Sequence, residues 1–237
     1  MLRYILYCFF LTLSFVGSSQ NNFSKKALTG RGDLTLVGTS IKLQKQVFEA
    51  FEEMKKAALK EGISIKIVSG YRSFDRQKLI WNRKYNLYIS QGLEPNTALQ
   101  KIVEYSTLPG SSRHHWGTDI DIIDASVKAP NSLLNEINYV ENGPYFQLKK
   151  WMDKNAESFG FYLVYTKNSE RKGFKYEPWH YTYKPLSKPM LEAFKKLNLR
   201  TFYNDLKLNG NEYLTKDFLD TYFSENVLDI NLRLLAD

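Results

Sequence analysis

Apolar residues along this chain recur with a helical period in some stretches and alternate in others, and the switches between the two outline a fold. Val47, Phe48, Phe51, Met54, Ala58 and Leu59 fall at helical spacing between Ile41 and Lys60, with Gly62 as a stop. Ile63, Ile65 and Ile67 then alternate with Ser64 and Lys66, a strand signature that ends at SGYRS. Helices are predicted from Phe74 to Ile89 and from Asn96 to Glu104, and a TLPG turn follows. Asp119-Ile120-Asp121-Ile122 alternates again, which puts both aspartates on one face of a strand and both isoleucines on the other. A helix from Leu148 to Phe159, a strand at FYLVYT, a polar loop at NSERKGFKYEP and a strand at WHYTY complete the central part. From Pro189 onward Leu, Phe and Tyr recur at helical intervals among charged residues. The pattern predicts an α+β fold, with a small central sheet flanked by helices and a C-terminal helical extension over 189–237.

The N-terminus departs from this pattern. Arg3 precedes an apolar run from Tyr4 to Val16, followed by the small residues Gly17, Ser18 and Ser19. That run is short for a membrane span, which needs roughly 20 residues, so 1–19 reads as a secretory signal peptide. Residues 20–34, polar with Gly and Ser, read as a linker before a domain over 35–188. The expected location is therefore outside the cytoplasm, periplasmic or extracellular, with no transmembrane segment once the signal is removed.

Composition narrows the chemistry. The 237 residues are 43% hydrophobic and 24% charged, enough to bury a core. The net charge of +8 is scattered rather than gathered, and no nucleic-acid motif accompanies it. The single cysteine, Cys8, lies in the expected leader, so disulfides and thiolate ligands are excluded from the mature chain. Any metal must be held by His, Asp or Glu.

Only three histidines exist, and they sit in two short clusters. SRHHWGTDID holds His114 and His115 with Asp119 and Asp121, and EPWH holds His180 three residues after Glu177. A catalytic zinc site needs three nitrogen or oxygen ligands and an open position for water. A histidine and an aspartate from the first cluster with His180 make such a set, and spacing does not choose between the doubled candidates. Paired histidines in a loop also fit a polar surface, and alternating aspartates also fit turn caps. Glu177 stands where a carboxylate could move protons beside a metal. Arg72 in SGYRS offers a permanent charge for a carboxylate or a developing oxyanion.

Together, SGYRS, the S-x-H-x-x-G-x-x-x-D pattern of Ser112, His114, Gly117 and Asp121, and Glu177-Pro178-Trp179-His180 resemble the D-alanyl-D-alanine carboxypeptidases, the VanY-type branch of the LAS zinc peptidases. The motifs occur in family order between Ile63 and Tyr183, about half of the chain. The resemblance implies the LAS/hedgehog-like fold with an antiparallel sheet, and one Zn2+ held by His114, Asp121 and His180. It implies Glu177 as catalytic base and Arg72 as the group that contacts the substrate carbonyl. Ser112 and Gln77 fall where the family contacts substrate. His115 and Asp119 receive no ligand role; Asp119 occupies a position where related enzymes often have alanine and, being on the same face as Asp121, could support the site from behind or serve as an alternate ligand. The implied substrate is a peptidoglycan stem peptide ending in D-Ala, cut by a D,D-carboxypeptidase. An L,D-carboxypeptidase or an endopeptidase would use the same chemistry, and a zinc-stabilised binding module would need neither Glu177 nor Arg72. The oligomeric state is left open.

Overall fold

The computed structural model describes residues 23–204 and 206–235, so the expected leader over 1–19 lies outside the described residues. A short helix, α1 (Lys25–Leu28), and a two-stranded ribbon, β1 (Leu36–Val37) with β2 (Leu43–Gln44), precede the long helix α2 (Lys45–Lys60). Next come β3 (Ile65–Ser69), α3 (Phe74–Ser90), α4 (Pro95–Ile102) and β4 (Asp119–Asp124). The chain continues through α5 (Phe146–Asn155), β5 (Phe161–Leu163), β6 (His180–Tyr183), α6 (Lys184–Phe194), α7 (Leu199–Asn204) and α8 (Lys216–Tyr222). The main sheet has the order β3-β4-β6-β5 and is antiparallel at every pairing. This is the expected α+β class.

β4 is buried at all six positions because both of its faces are covered. Ile120 and Ile122 share an apolar layer with Tyr181, with Val47 and Met54 of α2, and with Leu148 and Met152 of α5. Burying each isoleucine contributes roughly 1.5–3 kcal/mol. The opposite face carries Asp119 and Asp121, which lie across from Thr182 and His180 in the β4–β6 register. A slip of one residue would carry two carboxylates into the apolar layer, so the register is fixed by the alternation itself.

A second core draws from both ends of the chain. Leu28, Phe74, Trp81, Leu99, Trp116, Met190, Phe194, Tyr222 and Leu234 all belong to it. Part of the expected linker is therefore packed structure: Ala27 to Gly30 are buried, and Trp116 Nε1 donates to Leu28 O at 3.1 Å, while Arg31 to Asp33 are exposed. The C-terminal segment is likewise part of the fold, and α6 runs straight through the expected boundary at 188/189, with Pro189 inside it. Tyr222 and Leu234 pack in the same core as Trp81 of α3 and Leu99 of α4.

Local departures have plain causes. α2 starts at Lys45 rather than Ile41 because Leu43 and Gln44 pair with β1. Its buried stripe is Val47, Phe51, Met54 and Ala58, whereas Leu59 is 62% exposed. The expected helix over 148–159 starts at Phe146 as α5, leaves the α form at Asn155 and ends in one 3-10 turn, Ala156–Phe159. β5 stops at Leu163 as Val164 and Tyr165 enter the second core. Gly70 serves close approach rather than a special bend, since an added Cβ would lie 2.7 Å from Ile41 Cγ2 and 2.9 Å from Lys42 O. Among the described residues no helix is long and apolar enough to cross a membrane.

Candidate metal centre

Four segments of different origin converge on the polar face of the sheet. The segment after β3 brings Arg72, a single 3-10 turn over Arg113–Trp116 brings His114, and the adjacent strands β4 and β6 bring Asp121 and His180. Asp121 and His180 are register partners, which explains how residues 59 positions apart become neighbours. One ligand atom from each of His114, Asp121 and His180 lies within 4.8 Å of the others, and all three residues are buried. Among the described residues, this is a group that could hold a metal ion.

Hydrogen bonds decide which nitrogen of each ring faces the centre. His114 Nδ1 donates to Gly70 O at 2.8 Å, leaving Nε2 at 3.4 Å from Asp121 Oδ2. His180 is turned the other way: Nε2 lies 2.9 Å from Asp119 Oδ2, and Nδ1 lies 2.9 Å from Glu177 Oε2 and 3.9 Å from Asp121 Oδ1. Burial opposes a charge on His180, yet Asp119 and Glu177 outweigh it and raise its pKa to about 10. Asp121 is also penalised by burial, but the two histidines and Arg72 hold its carboxyl below the ordinary range.

Asp121 Oδ1 is buried and has no hydrogen-bond partner. A buried carboxylate oxygen without a donor costs several kcal/mol unless a cation meets it. With two imidazole nitrogens beside it and no thiolate among the described residues, the donor set fits a borderline divalent metal such as zinc.

The remaining expected residues divide between the cleft and its supports. Arg72, Ser112 and Glu177 line a cleft of about 650 Å3 together with the three histidine and aspartate residues. Arg72 Nη1 donates to Gln77 Oε1 at 2.9 Å and Nη2 to Ser69 Oγ at 3.1 Å. Burial pulls the pKa of its guanidinium down, while Asp121 and Glu177 act in the opposite sense. Gln77, expected as a substrate contact, is fully buried behind Arg72 and is absent from the cleft wall; its Nε2 donates to Thr107 O at 2.8 Å. His115 also sits behind the site. Its Nδ1 donates to Arg72 O at 2.6 Å and its Nε2 accepts from Gly110 N at 3.0 Å, so it braces the backbone that carries Arg72. Burial lowers its pKa to about 3.

Asp119 makes a buried cluster of its own. Its carboxylate accepts from Arg113 Nε at 2.9 Å, Thr118 Oγ1 at 2.8 Å and Thr182 Oγ1 at 2.5 Å, besides facing His180. Burial disfavours its charge, but Arg113 and His180 prevail and keep it ionised. A carboxylate behind a ligating histidine fixes the ring's tautomer and orientation. Arg113, Lys84 and Tyr165 also line the cleft without belonging to any expected motif. The available signal for Arg113 was a charge inside an otherwise buried turn. For Lys84 it was the continuation of the Phe74, Gln77, Trp81 helical stripe.

Residues 40–186 match the protein family described as D-alanyl-D-alanine carboxypeptidase, VanY. The Bacillus subtilis (strain 168) protein YodJ is 32% identical over 167 residues, 70% of this chain and 55% of that protein. The D-alanyl-D-alanine carboxypeptidase of Enterococcus faecium is 29% identical over 188 residues, 75% of this chain and 52% of that protein. The chain thus spans about half the length of these curated relatives. A structure of VanYB in complex with D-alanine-D-alanine shares the fold, with a TM-score of 0.54 at 23% identity over 75% of this chain and 92% of that one. The matched span holds β3, β4, β6 and every residue of the convergent centre, and on that match the chain belongs to the VanY D-alanyl-D-alanine carboxypeptidase family.

Proposed function

We propose that the protein is an exported zinc metallopeptidase that trims peptidoglycan stem peptides, acting as a D,D-carboxypeptidase on a terminal D-Ala. One observation carries the metal part of this reading: the Asp121 carboxylate lies between the two rings, with Oδ2 3.4 Å from His114 Nε2 and with Oδ1, buried and without a hydrogen-bond partner, 3.9 Å from His180 Nδ1. His114, Asp121 and His180 would hold one Zn2+. When bound, zinc supplies a Lewis acid that polarises a carbonyl and acidifies water. Family membership, and relatives named for cleaving D-alanyl-D-alanine, support the substrate class.

The chain's own residues perform the rest. Glu177, at the His180 edge of the cleft, takes the proton of the attacking water and passes it to the leaving amine. Arg72 is held by Gln77 and Ser69 before substrate arrives, so its charge meets the developing oxyanion without reorganisation. Ser112 lines the cleft as a substrate contact. Asp119 keeps the His180 Nε2 proton in place, so Nδ1, which faces Glu177 and Asp121, is the nitrogen that would ligate once its own proton is given up.

Digestion of a muropeptide pool, with and without a chelator and read by mass spectrometry, tests the reading. Loss of one D-Ala from pentapeptide stems, abolished by the chelator and restored by zinc, is expected. Loss of the fourth residue instead would assign the L,D bond, and cleavage of cross-linked dimers would assign an endopeptidase. Zinc-loaded protein that leaves the whole pool intact would overturn the activity. Export is tested separately by N-terminal sequencing of the mature protein, which is expected to begin near Gln20.

A further inference from the structure

Lys84 is the cleft residue that no part of the mechanism above uses. Its position follows from α3: Phe74, Gln77 and Trp81 mark the buried face, and Lys84 is the next residue on that stripe. A lysine there brings its ammonium to the inside of the fold rather than to water. The side chain is half-buried and lines the same cleft as Arg72, Glu177 and the candidate ligands. Its Nζ donates to Ser106 Oγ at 2.6 Å, and Ser106 is only 9% exposed.

The charges of the cleft are matched except at this point. Arg113 is paired with Asp119, and Glu136 with Lys167. Arg72 sits in the field of Asp121 and Glu177. Lys84 has a neutral hydroxyl as its hydrogen-bond partner and forms no ion pair among the described residues. Burial, with Arg83 beside it, depresses its pKa, although Glu177 draws the other way. An ammonium has three donors and one is spent on Ser106. A partly desolvated cation with spare donors in a peptide-binding cleft is arranged to receive an anion.

We propose that Lys84, with Ser106 holding it in place, is the anchor for the free carboxylate at the C-terminus of the bound peptide. This rests on the peptidase reading and sharpens it: a chain that continued past this point would present a neutral amide to Lys84. The cation therefore selects peptides that end in the cleft, and makes the enzyme an exopeptidase. Specificity for one end group is set by a residue outside the three motifs that carry the zinc chemistry.

Calorimetric binding of a diacetyl-Lys-D-Ala-D-Ala peptide and its C-terminal amide to the zinc-loaded Glu177→Ala protein tests this directly. The free acid is expected to bind about tenfold to a hundredfold more tightly, the range of one hydrogen bond to a charged group. Lys84→Met is expected to erase that preference, whereas Arg83→Met, which removes an equal charge from an exposed neighbouring position, is expected to keep it. A third peptide, amidated at its end but carrying a side-chain carboxylate, is expected to bind like the amide; if it binds like the free acid, the anchor reads a side chain and the proposal fails. An acid preference that survives Lys84→Met, or is absent from the parent protein, also overturns it. Hydrolysis by the unsubstituted protein is scored separately, so failure of the activity and failure of the anchor remain distinguishable.

Discussion

Removing the carboxylate of Asp119 should damage both the stability of the protein and its hold on zinc, for separable reasons. Asp119 is fully buried and accepts from Arg113, Thr118 and Thr182 while facing His180 Nε2. Asp119→Ala leaves Arg113, only 4% exposed, as an uncompensated charge with one guanidinium nitrogen, Nη1, already lacking a partner. Breaking a buried ion pair in this way costs about 3–5 kcal/mol. For a chain of this size each kcal/mol lowers Tm by roughly 2–4 °C, so the metal-free variant should melt about 6–20 °C below the parent. Arg113→Met combined with Asp119→Leu should recover part of the loss, because the stranded charge is gone while two threonine hydroxyls and a ring nitrogen still lack an acceptor. The second consequence is read by competition with a chromophoric chelator: without Asp119 the His180 ring loses the partner that fixes its tautomer, and zinc affinity should fall about 10–100-fold. Asp119→Asn, which keeps the volume and one acceptor, should lie between. An Asp119→Ala protein that melts within 2 °C or so of the parent and binds zinc unchanged would refute the reasoning.

Three further outcomes follow from other contacts. Glu177→Gln should retain zinc yet lose about 10²–10⁴-fold in hydrolysis, the usual weight of a proton-transfer group; turnover within tenfold of the parent would remove Glu177 from that role. His115 should make stability depend on pH, since its folded pKa of about 3 lies below the unfolded value of 6.5. The unfolded chain takes up the proton first, so this contribution is complete above pH 6.5 and declines by up to about 1.4 kcal/mol per unit as pH falls toward 3. Denaturant melts of the parent and of His115→Gln should therefore converge on acidification, and parallel curves would contradict the assignment. Gly30 has φ +74° and an added Cβ would stand 2.3 Å from His115 Nδ1, so Gly30→Ala should lower Tm and loosen the Arg72 segment. An unchanged melt would show that the loop yields freely.

Much of this architecture is legible in short-range pattern. The alternation over 119–122 told which residues share a face, and the β4–β6 register then made Asp121 and His180 neighbours. The stripe Val47, Phe51, Met54, Ala58 likewise belongs to a helix that covers the apolar face of the sheet. The 23–34 segment carries no comparable signal, and the helical intervals after Pro189 did not tell that this segment packs into the fold. Several of the contacts that tie these segments down span most of the chain, as when Trp81 Nε1 bonds to Asn209 O and Trp116 Nε1 to Leu28 O. Contacts of that range leave no local period to read.

The same limit separates the ligands from their supports. His114, Asp121 and His180 are scarce residue types at fixed spacings, so they stand out in one dimension. Arg113, Asp119 and His115 act only through what they touch, and their meaning depends on burial. A surface Arg113–Asp119 pair would be worth little, whereas this one is buried, with Arg113 4% and Asp119 0% exposed. Asp119 is therefore tied to the arginine six residues before it: neither charge is tolerable at its depth without the other. Substituting either alone should harm the fold more than removing both, and that coupling connects the stability of the sheet's polar face to the orientation of His180.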